Sequence, residues 1–235
     1  MKIGIIGTGH IGKTLVLKLS AAGHDVKVAN SRGPGSVEAS LLVNGARAVE
    51  AAEAVAEVEV VILSIPLNRI PEISPIIKDV PADAVVIDTS NYYPFRDSQI
   101  GEIEAGQVES LWVANGSASL AKKGTPAGTP GRIAIPVAAD RDHDRQVAAA
   151  LIEDSGFDAF EAGSLADSWR QQPGAPAYCT DLTREEMGAA LAAADKPRLP
   201  KRRDLGVAVM QERLGDGTTN PDEDWGVRLV RAINM

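Results

Sequence analysis

Short apolar runs alternate with longer amphipathic segments over the first two thirds of the chain. Lys2–Ile6, Asp25–Ala29, Val60–Ile65, Ala84–Ile87, Ile133–Val137 and Phe157–Glu161 read as strands, with a short one at Ala46–Ala48. Val60–Ile65 is a β-branched run, the composition of a strand covered on both faces. Leu111–Ala114 reads as a further strand of the same sheet. Lys13–Ala22, Ser36–Val43, Val49–Val58 and Arg145–Ile152 read as the intervening helices, and Pro71 and Pro75 allow only an irregular one between them. Pro136 cannot donate to a ladder, so its strand is expected at an edge. This alternation predicts an α/β fold: a Rossmann-type, doubly wound, mostly parallel sheet.

The pattern changes at Ser164. Ser164–Asp167 is a variant capping box, and Thr183-Arg184-Glu185-Glu186 is a full one opening a helix to about Ala194. Arg202–Leu214 reads as another helix, and Gly215–Asp224 as a polar, turn-rich tail. The expected division is a nucleotide-binding domain over 1–163 and a small helical region over 164–235. Lys122–Gly131, rich in glycine and proline, fits no packed element and is expected to be a mobile loop, a candidate lid.

The first strand runs directly into Gly7-Thr8-Gly9-His10-Ile11-Gly12 and then into a helix. Strand, Gly-x-Gly-x-x-Gly, helix, strand is the order a dinucleotide site requires. Gly7 permits the sharp turn, Gly9 lets backbone approach a pyrophosphate, and Gly12 lets the helix pack closely on the sheet. The helix N-terminus offers N–H groups to phosphate, and Thr8 and His10 can add side-chain hydrogen bonds.

The second strand ends in Asn30-Ser31-Arg32, where an NAD site usually carries Asp or Glu for the ribose hydroxyls. A carboxylate would repel a 2′-phosphate, whereas a guanidinium and a hydroxyl would bind it. NADP(H) is therefore expected over NAD(H). Ser64-Ile65-Pro66 follows a buried strand and belongs near the cofactor, because ligands of open parallel sheets sit beyond the strands' carboxyl ends. Asp88–Tyr93, after the next strand, is a candidate wall for a flat ligand.

Composition narrows the classes. The net charge of −8 disfavours nucleic acid, and the single cysteine, Cys179, rules out a disulfide within the chain. No apolar run has the length of a membrane span, and the N-terminal run leads into the glycine loop rather than resembling a signal peptide, so a cytoplasmic location is expected. His10, His24 and His143 are scattered and predict no metal site. No residue marks a general acid or base, and none is assigned a catalytic role. Hydride transfer between two bound cofactors needs little beyond placement. Lys196, Arg198, Lys201, Arg202 and Arg203 form a local basic cluster that could attract an anionic coenzyme tail.

These motifs resemble those of the NADP oxidoreductases that use the deazaflavin coenzyme F420. The Gly7–Gly12 loop, Ser31-Arg32, Ser64-Ile65-Pro66 and Glu161-Ala162-Gly163-Ser164-Leu165 carry the resemblance. It implies that Ser31 and Arg32 hold the 2′-phosphate, that hydride passes directly between nicotinamide and deazaflavin, and that the protein is a homodimer. It also implies that Asn115 takes the polar position bordering the second-cofactor pocket. Two other readings stay open. One is an NADPH-dependent reductase of a small imine or carbonyl, with Tyr92, Tyr93 or Tyr178 as proton donor. The other is a non-catalytic NADP-sensing module.

Overall fold

The computed structural model describes residues 1–113, 125–215 and 222–234. A five-stranded parallel sheet has the order β3-β2-β1-β4-β5, from β1 (Lys2–Ile6), β2 (Asp25–Ala29), β3 (Arg47–Ala48), β4 (Val60–Leu63) and β5 (Val85–Asp88). β1 is central, pairing Ile3 with both Val26 and Val60. Its side chains alternate between two cores, as the pleat requires. Ile3 and Ile5 pack with Leu15, Val16 and Leu19 of helix α1 (His10–Ala21). Ile6 packs on the other face with Ala54 and Val55 of α2 (Ala51–Val55). Both faces are covered, which explains the unbroken apolar composition of β4.

β6 (Ala134–Val137) and β7 (Asp158–Glu161) form a separate two-stranded parallel sheet, flanked by α7 (Asp142–Asp154). The N–H groups of Asp158 and Ala162 bond to the carbonyls of Ile133 and Val137. Pro136 therefore turns its donorless nitrogen to the opposite edge, where the sequence placed it. A cavity of about 40 Å³, lined by Leu15, Ile62, Val86, Val137 and Leu151, lies where β5 and β6 face each other.

Several expected elements differ. Ser36–Val43 is not an α-helix but two 3₁₀ turns, Pro34–Ser36 and Ala39–Leu41, and α2 is shorter than the alanine-rich run. Leu111–Val113 does not form a strand; it closes α6 (Glu109–Val113), whose first two residues, Glu109 and Ser110, are buried. So short an apolar run has no period to separate helix from strand, and the buried polar anchor decides it. The proline-bearing segment is a 3₁₀ turn followed by α3 (Ile70–Ile77). Two short helices, α4 (Pro94–Asp97) and α5 (Gly101–Glu104), follow β5. The Lys122–Gly131 expectation falls partly on residues outside the described ones; residues 125–131 form turns.

Beyond β7, Ser164 Oγ bonds Asp167 and opens a 3₁₀ helix, Leu165–Gln171. α8 (Arg184–Ala192) starts with the full capping box, in which Thr183 N–H donates to Glu186 at 2.9 Å. α9 (Leu199–Leu214) begins earlier than expected, because Pro200 sits in its first turn, where a missing N–H is no loss. α10 (Glu223–Asn234) was hidden behind the polar tail in the sequence; its buried Val227 and half-buried Leu229 and Val230 give it a packing face.

Candidate functional site

The carboxyl ends of β1, β2, β4 and β5 converge on one edge of the sheet. Gly7 leaves β1 at φ +115°, and a Cβ there would lie 2.1 Å from the Ser64 carbonyl oxygen. A Cβ on Gly12 would lie 2.1 Å from the Gly7 carbonyl oxygen. The two outer glycines thus close the loop against itself and against the end of β4. A Cβ on Gly9 would meet nothing within 4 Å. The middle glycine faces open space at the N-terminus of α1, whose first turn carries no acidic residue. That combination fits a pyrophosphate.

Asn30 organises the end of β2. Its Nδ2 donates to Thr8 Oγ1 at 3.2 Å, while its Oδ1 accepts from Arg32 N–H at 2.9 Å and from Ser36 Oγ at 3.0 Å. The turn carrying Ser31 and Arg32 is thereby fastened to the glycine loop, with both residues exposed. His10 and Ile11 sit in the first turn of α1. Two acids stand near these segments: Glu38 pairs with Lys13, and Glu50 approaches Gly33.

Ser64-Ile65-Pro66 sits between the glycine loop and the turn after β5. Ser64 N–H donates to the Ile6 carbonyl at 2.8 Å, and Ser90 Oγ donates to the Ile65 carbonyl at 2.8 Å. The three turns therefore form one connected rim. Asn115 lies outside the described residues.

Beyond the rim, Asp88, Thr89, Ser90, Asn91, Asp97 and Glu109 are all buried. Burial pushes Asp88 up to about 7, against hydrogen bonds from Ser90. Burial raises Glu109 to about 8, with Asp88 and Asp97 adding repulsion and the Tyr92 N–H and Arg203 opposing it. Arg96 donates to the Asn91 carbonyl at 2.6 Å and to Asp97, whose Oδ2 also accepts the Tyr93 N–H at 3.0 Å. This pins the turn from both sides.

The three tyrosines separate. Tyr92 is fully buried, donates to Glu104 at 2.8 Å and accepts from the Ile100 N–H at 3.1 Å, so it presents no ring face to a ligand. Tyr93 and Tyr178 bring their hydroxyls to 2.6 Å of each other. Beside them is a cavity of about 20 Å³, bordered by Asn91, Pro136, Gln171, Tyr178, Cys179 and Thr180. No sequence motif marked Glu109 or Asp97; an acid just ahead of the apolar stretch Leu111–Ala114 was the available signal for Glu109.

Three members of the basic cluster, Lys196, Arg198 and Lys201, stay exposed, while the other two turn inward. Arg203 is buried over the Tyr92 ring, Arg202 donates to Asn234, and Lys196 lies over the Trp169 ring. Among the described residues no group of acids, histidines and cysteine is arranged to hold a metal ion, and no helix is long and apolar enough to cross a membrane.

The fold and the glycine rim define a Rossmann-type protein with a candidate dinucleotide site at the strands' carboxyl ends. Residues 2–92 match the family model described as NADP oxidoreductase, coenzyme F420-dependent. Protein YjhV of Escherichia coli (strain K12) is 45% identical over 71 residues, which are 30% of this chain and 52% of that protein. The match thus spans about half the length of that curated relative. Among solved structures, hypothetical protein SMa0349 from Sinorhizobium meliloti is 26% identical, with a TM-score of 0.61, over 73% of this chain and 90% of that one. A protein of Arthrobacter sp. FB24, provisionally described as an F420-dependent NADP reductase, is 16% identical, with a TM-score of 0.52, over 94% of this chain and 97% of that one. At that identity the likeness is one of fold.

Proposed function

We propose that the protein is an NADP(H)-dependent oxidoreductase, with a deazaflavin as the leading candidate for its second substrate. The observation that carries the reading is the rim itself. A turn whose own residues bear no carboxylate, with Ser31 and Arg32, is tied through Asn30 to the glycine loop and opens beside the N-terminus of α1. The match of residues 2–92 to a family of NADP oxidoreductases supports it.

In this reading the backbone of Gly7–Gly12 and the first turn of α1 cradle the pyrophosphate, with Thr8, His10 and Ile11 beside it. Arg32 and Ser31 neutralise and hydrogen-bond the 2′-phosphate. Ser64, Ile65 and Pro66 form the wall nearest the reacting end, and Asn115 is proposed to border the second substrate. NADPH supplies a hydride; the protein's part is to hold donor and acceptor together and exclude water. A homodimer accompanies this proposal.

A second reading, reduction of a small imine or carbonyl, gains support from the Tyr93–Tyr178 hydroxyl pair, because such an acceptor needs a proton as well as a hydride.

The test mixes the protein with NADPH and oxidised deazaflavin and follows the deazaflavin's visible absorbance. Bleaching, slower with NADH and slower again in Arg32→Ala with NADPH, is the expected result. Tight NADPH binding without oxidation of the deazaflavin or of an imine and carbonyl panel would leave a nucleotide sensor.

A further inference from the structure

We propose that Tyr178 donates the proton that accompanies hydride transfer, into the small cavity beside Asn91, and that Tyr93 positions it. The proposal rests on the oxidoreductase reading above and adds the acceptor's chemistry to it: a carbon electrophile conjugated to an oxygen or nitrogen.

Three observations converge. The first is location. Asn91, which borders the cavity, stands one residue past Ser90, and Ser90 is bonded to the post-β4 turn that the reading above sets at the reacting end. The second is size and lining. About 20 Å³ admits one water-sized group, a carbonyl oxygen or ring nitrogen rather than a whole ring. Asn91, Gln171, Tyr178 and Thr180, all neutral polar residues, border the cavity. The third is the hydroxyl pair. Two hydroxyls 2.6 Å apart carry two protons, and their mutual bond uses one. Either hydroxyl can donate in that bond, and in the arrangement where Tyr93 donates, the proton of Tyr178 is left for the cavity. Burial holds the Tyr178 hydroxyl well above its ordinary value of 10, with Tyr93, Cys179 and Glu109 adding to it, so it stays protonated at neutral pH. Burial likewise raises Tyr93, against the bond to Tyr178 and the Arg96 charge, while Cys179 and Glu109 push it further up.

The step balances. The acceptor carbon takes the hydride supplied by NADPH, leaving NADP⁺. The O–H bond of Tyr178 breaks, and its proton goes to the conjugated oxygen or nitrogen as the double bond's electrons move there. Tyr178 recovers a proton from Tyr93, which recovers one from solvent. A deazaflavin and a small imine or carbonyl both meet this description, and separate assay arms distinguish them.

The experiment compares wild type, Tyr178→Phe and Tyr93→Phe. NADPH binding, read by nucleotide fluorescence, is expected unchanged, which shows each variant folded. In the arm that is active, Tyr178→Phe is expected to lower kcat about 100-fold with KM little changed, as loss of a general acid does. Tyr93→Phe is expected to lower it about 10-fold and to shift the alkaline limb of the pH profile, since Glu109, Cys179 and Arg96 still face Tyr178 or its partner. A readout without turnover is the absorbance of oxidised deazaflavin bound in the absence of NADPH, whose displacement is expected to disappear in Tyr178→Phe. Wild-type turnover with Tyr178→Phe equal to it in kcat, solvent isotope effect and bound spectrum overturns this proposal alone and marks the cavity as a structural water site. Wild type inert in every arm overturns the oxidoreductase reading as well.

Discussion

Asn30 Nδ2 lies 3.2 Å from Thr8 Oγ1, so the end of β2 is hydrogen-bonded to the glycine loop across 22 residues of sequence. The same side chain accepts from the Arg32 N–H and Ser36 Oγ. Asn30→Ala removes three bonds at once and frees the turn bearing Arg32. NADPH affinity is expected to fall about 10-fold, on the order of 1 kcal/mol, and Tm to fall by roughly a few degrees. Asn30→Asp keeps the acceptor but adds a negative charge beside the proposed 2′-phosphate seat, and the preference for NADPH over NADH is expected to shrink. Equilibrium titration with both nucleotides measures each.

Gly7 is constrained twice, by its φ of +115° and by the Ser64 carbonyl 2.1 Å from any Cβ. Gly7→Ala is expected to destabilise the fold by roughly 3 kcal/mol or more, because neither strand end has room to move. Gly9→Ala meets open space and is expected to leave Tm within a degree or two while weakening nucleotide binding. Thermal melts with and without NADPH separate the two effects.

Asp88 and Glu109 make stability fall with rising pH. Their native values of about 7 and about 8 exceed the ordinary 3.8 and 4.5. Between those limits the native state keeps protons that the unfolded chain has released. Their contribution is thus complete below about pH 4 and is lost progressively up to about pH 8. Each costs on the order of a few kcal/mol over that window. Glu109→Gln keeps an acceptor for the Tyr92 N–H, 3.0 Å away in the native protein, and is expected to be more stable than wild type at pH 8.5 but not at pH 5. Urea unfolding at the two pH values checks this.

Val137 lines the cavity of about 40 Å³ facing β5. Val137→Ile adds one methylene to a buried, apolar space and is expected to stabilise by about 0.5–1 kcal/mol, without changing nucleotide affinity. A lower Tm would show that the cavity walls have no slack.

What the sequence determined by itself was the glycine-loop half of the fold. The period-2 and β-branched runs, the glycine spacing and the absence of a carboxylate after β2 are local signals, and each depends on residues close along the chain. The capping box at Thr183–Glu186 was legible for the same reason. Tertiary structure decided the rest, because the contacts concerned join distant segments. Asn30 was visible as a residue, but its bonds to Thr8 and Ser36 required the loop and the turn to meet. Leu111–Val113 has the composition of a strand and lies in a helix, anchored by Glu109, which accepts the Tyr92 N–H from 17 residues away. The basic run from Lys196 to Arg203 looked like one patch, but Arg203 is drawn over the Tyr92 ring and Arg202 to Asn234, while Lys196, Arg198 and Lys201 stay exposed. No spacing rule pairs Tyr93 with Tyr178, 85 residues apart; only folding puts their hydroxyls in contact and sinks Asp88 and Glu109 beneath the rim. Local patterns fix elements through short-range sterics and hydrogen bonding, whereas a buried polar network exists only once desolvation and long-range packing have brought its members together.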